Sequence, residues 1–126
     1  MAIITPWIPG PAAAHDQPVQ VMASRFELRS LWHVPGFLFQ SMRILLQARR
    51  SPGAVGATLK AAPLRRTFWT LSAWTSDEAL STFARSQPHR SIIGAYRDRM
   101  AGSTFKFWTA ERPADWAEAH TRLKEG

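Results

Sequence analysis

The chain has 126 residues, 45% of them hydrophobic, which is one domain's length and enough to bury a single core without covalent staples. It has no cysteine, which excludes thiolate nucleophiles, dithiol redox chemistry, Cys-ligated zinc and iron–sulfur clusters. Sixteen basic residues against nine acidic ones give a net charge of +7, but they fall in pairs (Arg49-Arg50, Arg65-Arg66) and singles, so we expect a basic surface and no nucleic-acid partner.

Residues 1–18 hold four of the nine prolines (Pro6, Pro9, Pro11, Pro18), and each removes a donor and fixes φ, so we expect an extended arm ahead of a domain over 19–126. Met1 to Ile4 lacks the basic start and apolar run of a signal peptide, and no apolar stretch approaches the roughly 18 residues of a membrane span. A cytoplasmic protein with no membrane partner is the expectation.

Val19 to Ser30 alternates roughly as a half-buried strand does, with Gln20, Met22, Ser24, Phe26 and Leu28 on one face and Val21, Ala23, Arg25 and Glu27 on the other, both faces mixed. Pro35-Gly36 opens an amphipathic helix with Leu38, Met42 and Leu45 opposite Gln40, Arg43, Gln47 and Arg50, and Ser51-Pro52-Gly53 stops it. Val55 to Ala61 reads as a short, weak strand. Arg65 to Thr75, rich in Thr, Phe and Trp, is the clearest strand of the chain.

Thr75-Ser76-Asp77-Glu78 has the form of a capping box with Thr75 as the cap, starting a helix that carries Leu80, Phe83 and Ala84 inward. Pro88 restarts the chain into a second helical piece ending at Gly102. Ser103 to Thr109 is a last strand, and Pro113 begins a closing helix with Trp116, Ala119 and Leu123 facing inward. The order βαββαβ plus a terminal helix predicts a ferredoxin-like α+β sandwich, an antiparallel sheet with helices on one face. A large apolar sheet face is rarely left in water, so we expect a homodimer formed through the face that carries Phe68 and Trp74.

Phe68-Trp69-Thr70-Leu71-Ser72-Ala73-Trp74, followed by Ala79-Leu80, Phe83-Ala84-Arg85 and Pro88-His89, resembles the dimeric α+β-barrel superfamily. That superfamily includes the antibiotic-biosynthesis monooxygenases and the spheroidene-monooxygenase-like and related uncharacterised proteins. The resemblance covers residues from about 20 to about 112. It implies two protomers packed sheet to sheet, forming a dimeric barrel with enclosed pockets. In haem-binding relatives a His in this neighbourhood ligates iron, which implies His89 as a metal ligand or acid–base residue and Arg25 as the partner of a propionate. The haem-degrading relatives carry a catalytic Asn on the first strand, where this chain has Ser24 and Arg25.

Alternation places Phe68, Thr70, Ser72 and Trp74 on one face of their strand, a mixture of aromatics and hydroxyls such as ligand cavities use, whereas Trp69 belongs to the other face, as core. Core packing is the competing explanation for Trp74, and helix capping for His89. His15, His33, His89 and His120 show no metal-ligand spacing, and Asp77 with Glu78 is explained by capping.

Two functions follow. The first is a monooxygenase-like enzyme that binds a hydrophobic or polycyclic small molecule between sheet and helices, with or without haem as cofactor. In it Trp74 and Phe68 stack on the substrate, Arg25, Thr70 and Ser72 orient polar atoms, and His89 is catalytic. The second is a non-catalytic small-molecule-binding or interaction module on the same scaffold.

Overall fold

The computed structural model describes residues 3–13, 18–85, 94–111 and 115–124. Six strands form one sheet: β1 (Ile3–Ile4), β2 (Ile8–Pro9), β3 (Val19–Leu28), β4 (Ala54–Ala62), β5 (Thr67–Trp74) and β6 (Met100–Ala110). Among the described residues the helices that accompany them over their full length are α1 (Val34–Arg50), α2 (Asp77–Arg85) and α3 (Trp116–Lys124). The sheet order is β1-β4-β5-β3-β6, with β2 also on β4. Both β3 and β4 are antiparallel to β5, so they run parallel to each other with β5 between them, the split βαβ of the ferredoxin-like α+β fold. Among the described residues no helix is long and apolar enough to cross a membrane.

The sheet is covered on both faces. Phe26, Leu28, Phe68, Leu59 and Trp74 pack against α1 and α2, while Val19, Val21, Ala23, Leu71 and Trp108 pack against Ala119 and Leu123 of α3. This corrects the expected dimer face: Phe68 and Trp74 are fully buried beneath the chain's own helices and are closed to a second subunit.

The proline-rich arm is tied to the sheet edge. Ile3, Ile4, Ile8 and Pro9 pair with β4, and the Trp7 ring lies where a side chain on Gly56 would stand, so this glycine is what lets the arm seat. Ala54–Ala62 has weak intrinsic β-propensity but is flanked on both edges, and its small side chains admit α1 closely.

Three local readings shift. The buried face of α1 is Phe37, Ser41, Leu45 and Ala48, one step round from the expected face, and Met42 is exposed. The cap of α2 is Ser76, whose Oγ accepts from the Ala79 N–H at 3.1 Å, because the Thr75 N–H is still held by the Gly53 carbonyl at 2.8 Å. Part of the helical piece expected from Pro88 lies outside the described residues. Its described end, 94–96, is helical and passes through a 3₁₀ turn (Arg97–Arg99) into β6, which starts at Met100, ahead of Ser103.

Candidate functional site

Between α1 and the sheet lies a cavity of about 60 Å³. Its sheet side includes Met22, Ser24 and Phe26 of β3, Leu59 of β4, Thr70, Ser72 and Trp74 of β5, and Phe105 of β6. Ser41, Ile44, Leu45 and Ala48 of α1 and Phe83 of α2 close the other side. The lining is apolar apart from its hydroxyls, and among the described residues it contains no group that titrates near neutrality.

Register builds the polar spots. Ser24 of β3 stands opposite Thr70 of β5, and their hydroxyls are in hydrogen-bond contact. Two hydroxyls bring two protons, one of which serves the mutual bond, so the pair retains a donor for a third group. Trp74 Nε1 donates to Ser72 Oγ at 2.9 Å, and the Trp74 ring packs 4.9 Å from Phe83. With its N–H thus satisfied, Trp74 offers the cavity only its ring, and Ser72 keeps its own proton to donate. Phe105 forms the outer wall and is 46% exposed.

The structure therefore brings Thr70, Ser72 and Trp74 together around one space, with Phe68 in the adjoining aromatic cluster beside Phe37 and Phe26. Arg25 does not join them. It lies on the opposite face, as strand alternation requires of a neighbour of Ser24, and pairs with Glu27. The propionate role implied for Arg25 is corrected on that ground. His89 lies outside the described residues. Ser24, Ser41 and Phe105 are wall residues that sequence reasoning missed; the Ser24 signal was its place on the Met22–Phe26 face.

The opposite face carries a basic and aromatic cluster. Lys60 Nζ is 2.9 Å from His120 Nε2 and 5.2 Å from the centre of Trp69, and Trp116 lies 5.9 Å from the His120 ring. Burial, then the Lys60, Lys124 and Arg25 charges, hold His120 below its ordinary pKa of 6.5, so its neutral ring accepts the bond from Lys60. Trp69, expected in the core, is only half-buried there. The Trp108 indole N–H is buried without a partner among the described residues.

Sheet order and the split βαβ define a ferredoxin-like α+β fold. Solved structures agree in fold. SnoaB, a cofactor-independent oxygenase from Streptomyces nogalater, superposes with a TM-score of 0.61 over 75% of this chain and 94% of its own, at 19% identity. A candidate monooxygenase from Fusobacterium nucleatum gives 0.68 over 81% of this chain at 10% identity, and this chain spans 46% of that protein's length. A ferredoxin-fold protein from Listeria monocytogenes related to antibiotic biosynthesis monooxygenases gives 0.59 over 72% of this chain and 55% of its own, at 20% identity. No family model and no curated protein matches the sequence.

Proposed function

We propose that the chain is a monooxygenase-like protein that takes a hydrophobic small molecule into the cavity between sheet and α1. The observation that carries this reading is the apolar cavity with its hydroxyl pair, Ser24 and Thr70, facing the Trp74 wall. A ring-sized ligand asks for more than the present 60 Å³, since an apolar cavity of about 150 Å³ holds benzene. The half-exposed Phe105 ring is the wall that can yield, and a polycyclic substrate enters past it.

The chemistry that suits an apolar site needs no prosthetic group. An activated methylene R₂CH₂ reacts with O₂ to give R₂C=O and water, the substrate carbon supplying all four electrons and both protons. Hydroxyls placed like those of Thr70 and Ser72 donate to the substrate oxygen on which negative charge develops as the first proton leaves. His89 is the residue we propose to take that proton.

Haem does not fit the described cavity. A porphyrin needs roughly the 300 to 1,000 Å³ of a drug-sized site, and Met22 is the one lining residue among those described that could ligate iron. The second reading, a non-catalytic binding module, draws support from the absence of a titrating group on the described walls.

The homodimer belongs to the proposal as well, now through the face of Trp69, a half-buried aromatic that would gain from a second copy.

Oxygen uptake with anthrone, whose methylene two aryl rings acidify, tests the reaction. We expect one O₂ consumed per ketone formed, with Thr70→Val slowing turnover about 10²-fold at little cost in binding. Anthrone binding without oxygen uptake establishes the module reading instead, and no binding, even in Phe105→Ala, removes the cavity from consideration.

A further inference from the structure

One end of the molecule pairs protruding apolar side chains with arginine. Trp32, Leu64 and Leu31 are 91%, 83% and 53% exposed. They sit on two short 3₁₀ turns, Leu31–His33 and Pro63–Arg65, which chain topology brings to the same edge. The Leu28 N–H donates to the Arg66 carbonyl at 2.8 Å, and Arg66 Nη1 reaches the Arg29 carbonyl at 3.5 Å. A third segment closes the cluster, because the Arg29 N–H donates to the Arg99 carbonyl at 2.8 Å.

These same three segments supply Arg29, Arg65, Arg66, Arg97 and Arg99, against Asp98 and a Glu27 already paired with Arg25. A single exposed leucine needs no explanation, but a tryptophan and two leucines at the tips of tied turns within a field of arginines do. None of the three lines any cavity described above, so the candidate site does not account for them.

We propose that this end docks on an anionic phospholipid bilayer. Trp32 and Leu64 stand almost fully exposed on two three-residue turns, which suits insertion into a soft interface better than the flat, continuous area of order 1,000 Å² that a stable protein contact requires. Trp32 and Leu64 enter the boundary between headgroups and acyl chains, where an indole ring is at home. The arginine forks hold lipid phosphates, which are the complementary charge.

Full-length protein sedimented with phosphatidylcholine vesicles, with and without phosphatidylglycerol, tests this without any substrate and independently of the cavity reading. We expect binding to the phosphatidylglycerol vesicles that weakens as salt shortens the Debye length. Trp32→Ser with Leu64→Ser should weaken it about tenfold or more, and Arg65→Gln with Arg66→Gln should abolish the preference for the anionic lipid. Unchanged melting curves are expected for Trp32→Ser with Leu64→Ser, whose side chains are exposed, and at most a slight drop for Arg65→Gln with Arg66→Gln, which loses the Arg66 contact to the Arg29 carbonyl. Failure to bind phosphatidylglycerol vesicles, or binding indifferent to both double variants, overturns the proposal. So does a dimer in sedimentation equilibrium that the Trp32/Leu64 variant dissociates, which would give the tips to a second copy.

Discussion

Trp74 and Trp69 stand on opposite faces of β5, and truncating each should have very different costs. Trp74 has no exposed surface, stacks on Phe83 at 4.9 Å and donates to Ser72 at 2.9 Å. Removing a buried Trp side chain costs about 3 to 5 kcal/mol in transfer and cavity energy, and the aromatic pair adds about 1 kcal/mol. Ser72 loses its donor as well, but water can enter the enlarged cavity and offset part of that. We therefore expect Trp74→Ala to cost about 4 to 5 kcal/mol, about a third or more of the margin of a domain whose total stability is about 5 to 15 kcal/mol. Trp69 is half-buried under Lys60 and His120, so Trp69→Ala forfeits about half a side chain's burial and a cation–π contact of about 0.5 to 1 kcal/mol, in all about 2 kcal/mol. Urea titrations followed by circular dichroism at equal slope measure both. Equal losses, or a larger loss at Trp69, would refute this account of which face is the core. A Trp69→Ala loss that grows with protein concentration would instead report the proposed dimer face.

His120 should make stability depend on pH. Its folded pKa lies below 6.5 through burial first and Lys60 second, so as pH falls below 6.5 the unfolded chain takes up a proton that the folded chain refuses. Melting temperature should fall across that window and level off once the folded ring also protonates. His120→Gln should flatten the slope, and an unchanged slope would count against the assignment. Ser76→Ala removes the side-chain cap from α2 and should cost about 0.5 to 2 kcal/mol by the same titration, whereas Thr75→Ala should leave the helix capped and, with Ser76 intact, cost less. A larger loss at Thr75 would restore the cap read from sequence.

What was legible in the sequence was local. The aromatic run of β5 announced itself by propensity, and its alternation correctly separated Thr70, Ser72 and Trp74 from Trp69 because a strand's period of two holds whatever packs on it. The closing helix was legible for the same reason, with Ala119 and Leu123 four apart on one buried stripe. By contrast α1 carries apolar residues around most of its circumference, so its pattern did not choose between the Leu38–Met42 stripe and the Phe37–Ser41 stripe. The choice fell to Ser41, a polar residue that enters the core because the cavity lies there. Trp7 on Gly56 was equally hidden, since nothing within the arm reveals a vacancy on β4.

The site shows the same division in a sharper form. Each wall residue of the cavity was visible as a residue, but the hydroxyl pair exists only because β3 and β5 register Ser24 against Thr70 across an interval of 46 residues. Strand alternation had already placed Ser24 with Met22 and Phe26 and had set Arg25 apart from them. Assigning Arg25 to the pocket let the chemistry expected of a haem protein override that geometry, and the structure resolves the conflict in favour of the pleat. A side chain cannot change faces without moving every neighbour on its strand. A ligand role inferred for one strand residue therefore carries its i±2 neighbours into the site with it, and here those of Ser24, Met22 and Phe26, do line the cavity, whereas those of Arg25, Ala23 and Glu27, do not.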